Sequence, residues 1–207
     1  NVRIRAGFTA GKRETLQRSA IAKNMAAVID LCSGIHTYGL SYFDVAEPPR
    51  GTLISLFRHQ LAIGEGVSRA CVSRDTFAAL AQLRQLYEAH VFFHFIALHP
   101  EAAARFEDHS VIAEYELNKA FEIVLSGSDL EAQRSELIRK YGVQFSKQYG
   151  WASGVSGFDK APRLVDLAKA IGIEHYKNLY KLTSDAVHSS AYFVYVDPDI
   201  DGVLPQI

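Results

Sequence analysis

Apolar residues along most of this chain recur at intervals of three and four, the spacing that places side chains on one face of an α-helix. Helices are predicted over residues 12–37, 52–71, 74–98, 101–125, 130–141, 162–171 and 174–191. Only AYFVYV, near the end, has β character, and a lone strand cannot form a sheet. The pattern therefore predicts an all-α fold, an irregular bundle of about six or seven helices in a single domain.

Turn-forming residues separate the predicted helices. Pro48 and Pro49 exclude a continuous helix after the first segment. The segment GEG at 64–66 is expected to interrupt or weaken the second helix, and Ser73 is predicted to cap the third. The Gly- and Ser-rich stretch 149–158 surrounds the only Trp, and we expect it to be a mobile loop.

Composition narrows the class of protein. The chain has 207 residues, 48% of them hydrophobic, which suffices for one domain with a sizeable core. Its 22 basic and 23 acidic residues give a net charge of -1, so strong nonspecific attraction to nucleic acid is not implied. The sequence has two isolated cysteines, no apolar run of roughly 18 to 20 residues and no apolar signal-peptide core at the amino end. These features predict a cytoplasmic protein without a membrane segment.

Polar-tipped residues form a stripe along the last predicted helix. Tyr180, Ser184 and His188 are spaced four apart, and Tyr176 extends the series. A step of four returns within about 40° of the starting direction, so these residues share one face. An unpaired polar group costs about 1 to 3 kcal/mol when buried, so we expect their partners on another helix. The predicted polar site comprises Tyr176, Tyr180, Ser184 and Asp185, with His188 as a catalytic candidate.

Candidate partners occur in LRQLYEAH, residues 83–90. Arg84 and Glu88 are four apart and could form an exposed ion pair worth only about 0.3 to 0.5 kcal/mol. If they face inward, Tyr180 and the groups around it have the chemistry to satisfy them. We therefore predict a site with the Arg84 segment as its facing wall. A purely structural role, in which the polar cluster fixes the packing of the helices, stays open.

The segments LRQLYEAH and YKNLYKLTSDAVHSS together resemble a bacterial family of helical domains of unknown function that have Arg-x-x-x-Glu and Tyr-x-x-x-Ser-x-x-x-His segments. Gly150-Trp151 and LAKAIGIEHYKNLY follow in the order typical of that family. The resemblance covers roughly residues 51–192, with an N-terminal helix and connection over 1–50 and an irregular tail over 193–207. It implies that Arg84, Glu88, Tyr180, Ser184 and His188 are the functional positions, and it supplies no substrate.

The segment RQLYEAH also resembles the Arg-x(4 to 6)-His motif of HEPN-type ribonucleases, which are helical and cleave RNA without metal. A His can act there as general acid or base while Arg stabilises the charge on phosphorus. Arg84 and His90 lie about 240° apart on one ideal helix, however, so they would not share a face. A pair formed by Arg84 and His188 is geometrically easier, and Arg84, Glu88 and His188 are the catalytic candidates.

Other patterns are less specific. His90 and His94 could bind a metal from one helix face, but no third ligand is specified, and no metal or cofactor is predicted. DPDIDG at 197–202 resembles the start of a calcium loop but lacks the Glu at position twelve, so an acidic turn is expected. Basic residues near the last two helices are expected to be solvated, with phosphate binding as the alternative: Lys160, Arg163, Lys169, Lys177 and Lys181.

These observations leave two functional hypotheses. The first is an interaction or regulatory module, linked to bacterial defence or toxin systems such as phage defence, that forms a homodimer or binds a protein or RNA partner. The second is a HEPN-like, metal-independent ribonuclease that uses Arg and His. The ribonuclease hypothesis predicts that His188 lies in an open cleft with Arg84. The interaction-module hypothesis predicts that His188 is sealed beneath Trp151 and the tyrosines.

Overall fold

A computed structural model describes residues 49–121, 129–173 and 177–187. Within these ranges the chain forms six α-helices and two short 3-10 helices, and no β-strand. The α-helices are α1 (Arg50–Ser73), α2 (Thr76–Leu98), α3 (Ala102–Ala120), α4 (Leu130–Tyr141), α5 (Leu164–Ala170) and α6 (Lys177–Val187), and the 3-10 helices span Val143–Ser146 and Gly150–Ala152. The predicted all-α fold is confirmed. The helix predicted over 12–37 and the tail at 193–207 lie outside the described residues.

GEG does not interrupt the helix, because α1 continues through residues 64–66, so this part of the prediction is wrong. That GEG weakens the helix stays a prediction. Gly66 lies where a Cβ would meet the side-chain amide of Gln82 on α2. Glycine in a helix interior costs about 0.5 to 1 kcal/mol relative to alanine, but here it leaves room for the end of the Gln82 side chain.

The predicted cap of α2 is also wrong by two residues. Asp75, and not Ser73, caps the helix, since its Oδ1 accepts a hydrogen bond of 2.9 Å from the backbone N–H of Ala78. Ser73 instead donates to the carbonyl oxygen of Ala70 at the end of α1. Arg74 has a φ of 61°, which turns the chain between the two helices and leaves Asp75 in the capping position.

The chain divides into two compact units. Among the described residues, the first comprises 58–87 and 178–187, and the second comprises 49–57, 88–121, 129–173 and 177. The domain boundaries predicted from the sequence stay predictions. No helix among the described residues has the length and apolar composition needed to cross a membrane.

An aromatic cluster forms the core of the second unit. Trp151 is only 2% exposed, and its ring meets those of Phe92, Phe95 and Phe106 edge-on at centroid distances of 5.5, 5.6 and 5.0 Å. Phe95 is fully buried. The prediction of a mobile loop over 149–158 is therefore wrong for residues 150–153, which are buried, with Trp151 in the core against α2 and α3. For the remainder of the stretch it stays a prediction.

Candidate functional site

Arg84 on α2 meets Tyr180 on α6 within the first unit. The Nη2 of Arg84 donates a hydrogen bond of 3.3 Å to the Tyr180 hydroxyl. The guanidinium carbon lies 5.3 Å from the centre of the Tyr180 ring, within the range of a cation–π interaction. The ring of the buried Tyr87 lies 5.6 Å from that of Tyr180. The structure thus brings the arginine of one predicted motif against the first tyrosine of the other.

The rest of the described stripe lies on the following turn of α6. Ser184 and Asp185 are half-buried, while Lys181, one turn before Asp185, is exposed. Thr183 is fully buried, and its hydroxyl donates to the carbonyl oxygen of Tyr180 at 3.0 Å. The helix therefore packs through Thr183, and Tyr180, Ser184 and Asp185 are each partly exposed beside it.

The other three residues of the predicted site are His188, Tyr176 and Glu88. His188 and Tyr176 lie outside the described residues, so their roles stay predictions. Glu88 lies one turn after Arg84 on α2, is half-buried, and belongs to the second unit. The described part of the predicted site is therefore the contact between Arg84 and Tyr180, with Ser184 and Asp185 beside it.

The alternative motif separates in the structure. His90 lies in the second unit and packs against His94, with ring centroids 4.3 Å apart and the rings inclined at 69°. Burial lowers the pKa of the His90 imidazole below its ordinary value, and the neighbouring His94 lowers it further. Arg84 packs against Tyr180 and His90 packs against His94, so the contacts described for each belong to different clusters.

A second arginine, which the sequence analysis missed, organises the second unit. The Nε of Arg105 donates to the carbonyl oxygen of Trp151 at 2.9 Å, and its Nη2 donates to the carbonyl oxygen of Ser153. Its guanidinium also lies 4.4 Å from the centre of the Tyr141 ring. Because these donors are committed to backbone carbonyls 46 and 48 residues away, Arg105 fixes the Trp151 segment against α3.

The chemistry of the Arg84 contact suits recognition by hydrogen bonding. Arginine stays charged at any physiological pH and presents several donors in a planar fork. The phenol of Tyr180 and the hydroxyl of Ser184 can both donate and accept, and Asp185 contributes an acceptor. Such a set matches a polar ligand that carries both acceptors and donors. Among the described residues, no group of three or more His, Cys, Asp or Glu side chains could hold a metal ion.

The fold and this contact define an all-α protein with a polar contact between two helices distant in sequence. The chain belongs to a family of unknown function, DUF5677, whose family model matches residues 51–202. This confirms the predicted membership in a domain family of unknown function, whereas the bacterial origin, the motifs and the HEPN resemblance stay predictions. Neither a curated protein nor a solved structure matches the chain.

Proposed function

We propose that this protein is a helical interaction or regulatory module that recognises a protein partner at the polar site formed by Arg84, Tyr180, Ser184 and Asp185. The contact between Arg84 and Tyr180 is the observation that carries the proposal. Both residues are half-buried, so part of each side chain faces solvent, where a partner can contact it without unfolding either helix. In line with the sequence analysis, the setting we propose is a bacterial defence or toxin system.

A purely structural role, like that of the contact between Arg105 and Tyr141, is the alternative for this contact. Apolar side chains of similar volume often hold helices together as well as buried polar or charged groups do, or better. A guanidinium and a phenol at a half-buried position are therefore better explained by recognition than by stability alone. A protein partner is favoured over RNA because the net charge of -1 provides no broad attraction to a polyanion.

A second copy of the chain is the partner to test first. We expect sedimentation equilibrium of the full chain to show a dimer that weakens at least about tenfold in Arg84→Gln, since loss of one charge-assisted hydrogen bond is worth about 1.5 to 3 kcal/mol. Tyr180→Phe should weaken it less, because only one hydroxyl is lost. The matched control is Arg69→Gln, whose exposed side chain pairs with Glu65 one turn away.

Circular dichroism of each variant separates a lost interface from a lost fold. A parent chain that is monomeric at all concentrations would contradict self-association. A dimer equally stable in the parent and in folded Arg84→Gln would remove the proposed site from the interface. Arg84→Met should leave the free energy of unfolding within about 1 kcal/mol of the parent if the contact serves recognition.

One observation favours the ribonuclease as the second candidate. Burial and the neighbouring His94 lower the pKa of His90, which favours the neutral imidazole that a general base requires. The parent, His90→Ala and His188→Ala would be incubated with mixed RNA in the absence of divalent metal. Cleavage that disappears in a folded histidine variant would support the ribonuclease, and intact RNA with all three proteins would support the interaction module.

A further inference from the structure

Two histidines lie one helical turn apart on α2, in the part of the helix that belongs to the second unit. Their rings are 4.3 Å apart between centroids, so both imidazoles lie on the same side of the helix. We propose that His90 and His94 together bind one divalent transition-metal ion, with the two imidazoles as a chelating pair. The inference is independent of the function proposed for the Arg84 contact.

The geometry needs little rearrangement. A histidine nitrogen binds zinc at about 2.0 to 2.1 Å, and two histidines four apart on a helix can reach one ion. The helix is continuous from Thr76 to Leu98, so the backbone already sets the separation of the two side chains. The two rings meet edge-on at 69°, so they must rotate about their side-chain bonds for a nitrogen of each to face one ion.

Access and ligand number also fit a bound ion. His94 is exposed and His90 is half-buried, so an ion can enter from solvent. No group of three or more His, Cys, Asp or Glu that could hold a metal exists among residues 49–121, 129–173 and 177–187. The pair therefore supplies two ligands, and water fills the other positions. This arrangement predicts a weaker site than a structural zinc site with four protein ligands.

Aromatic side chains border the histidine pair on one side. Phe93 flanks His94 edge-on at 5.4 Å, and Phe57 lies 6.4 Å from Phe93. These rings form an apolar border on one side of the pair. An apolar border reduces competition from water on that side and favours direct coordination.

Two imidazole nitrogens also define the class of metal. Imidazole suits Zn²⁺, Ni²⁺ and Cu²⁺, whereas Mg²⁺ and Ca²⁺ prefer oxygen ligands. Binding strength should follow the general order for nitrogen ligands, with Cu²⁺ tighter than Ni²⁺. Mg²⁺ added in excess should not displace either ion.

Isothermal titration of the full chain with NiCl₂ in a buffer that does not bind metal tests the proposal. We expect one class of binding site with one ion per chain, and at least about tenfold weaker binding in His90→Ala and in His94→Ala, because each variant loses half of the chelate. His59→Ala is the matched control: His59 is an exposed histidine on α1, outside the pair, and its loss should leave this binding unchanged.

Thermal unfolding with and without NiCl₂ provides a second readout. An ion that binds only the folded chain raises the melting temperature, and this rise should be lost in His94→Ala, where the exposed position makes misfolding a minor concern. The proposal is overturned if the parent binds no Ni²⁺ at about 1 mM, which corresponds to only about 4 kcal/mol of binding energy. It is also overturned if both folded histidine variants bind as tightly as the parent.

Discussion

Gly150 lies where the backbone has no room for a side chain. A Cβ at this position would stand 2.4 Å from the carbonyl oxygens of both Gln144 and Phe145. These are backbone atoms, and they cannot move aside as the end of a flexible side chain can. Trp151 follows directly and enters the aromatic core. Glycine at this position therefore allows the close backbone approach that places the indole of Trp151 in the core.

Gly150→Ala should consequently destabilise the protein by about 2 to 3 kcal/mol, the range of an overpacked core. The matched control is Gly64→Ala in α1, where an added Cβ would meet no atom within 4 Å. That variant should stabilise the protein by about 0.5 to 1 kcal/mol through helix propensity. Urea unfolding followed by the fluorescence of the single Trp measures both. Changes of the same sign in the two variants would contradict this explanation.

The turn between α1 and α2 combines two capping motifs within a few residues. At the end of α1, the N–H of Arg74 donates to the carbonyl oxygen of Cys71 and the N–H of Asp75 donates to that of Ala70. This is the Schellman pattern, with a left-handed arginine where glycine is usual. Asp75 then caps α2. A single residue, Asp75, thus contributes to the end of one helix through its backbone and to the start of the next through its side chain.

Removal of the capping carboxylate tests this assignment. Asp75→Ala should lower the free energy of unfolding by about 1 kcal/mol, since the N–H of Ala78 loses its partner. Ser73→Ala should cost less, because the Ser73 hydroxyl only supplements a carbonyl at the end of α1. Chemical denaturation of both variants provides the comparison. A larger loss in Ser73→Ala would instead restore the cap predicted from the sequence.

Arg105 joins α3 to the 3-10 helix Gly150–Ala152. Arg105→Met keeps most of the side-chain volume but removes the donors to the carbonyl oxygens of Trp151 and Ser153. Because each unsatisfied buried acceptor costs about 1 to 3 kcal/mol, we expect a loss of about 2 to 4 kcal/mol and a red shift of Trp151 fluorescence. Arg139→Met is the control, since that arginine is 77% exposed and pairs only with Glu136. Its effect should stay within about 0.5 kcal/mol.

The charge of the whole molecule is nearly balanced, so a few buried groups should dominate the dependence of its stability on pH. A net charge of -1 produces little self-repulsion near neutrality. Burial lowers the pKa of His109, although hydrogen bonds to the backbone carbonyls of Lys147 and Phe145 act in the opposite direction. The pKa of His90 is lowered as well. Both groups therefore bind a proton less readily in the folded chain than in the unfolded chain.

The weaker proton binding of the folded chain determines the direction in which its stability changes with pH. The unfolded chain takes up protons first as pH falls through about 6.5, so the free energy of unfolding should be largest above that pH and decrease below it. His109→Gln removes one titrating group and retains an amide that can donate to the carbonyl oxygen of Lys147. Urea unfolding of both proteins between about pH 5 and pH 8 should give a flatter profile for the variant. Parallel profiles would exclude His109 as a source of the effect.

Local sequence determined the set of helices in the described part of this protein. Residues 130–141 form a helix with the predicted ends, because apolar spacing and flanking turn residues act within a few positions of one another. The chemical types at the Arg84 and Tyr180 positions could also be recognised in advance, since steps of four place residues on one face of a helix. The sequence therefore predicted the helical class of the fold and a pair of residues that the structure brings into contact.

Packing between distant segments determined the features of the fold that local spacing did not predict. α1 continues through Gly66 with the Gln82 side chain beside it, and residues 151–153 are buried because Trp151 enters the core and Arg105 holds its backbone. Neither partner is apparent from local spacing, since Arg105 and Ser153 are 48 residues apart. Helix periodicity depends on neighbours along the chain, whereas burial and long-range hydrogen bonds depend on which segments meet in space. Only the tertiary structure could supply that second kind of information.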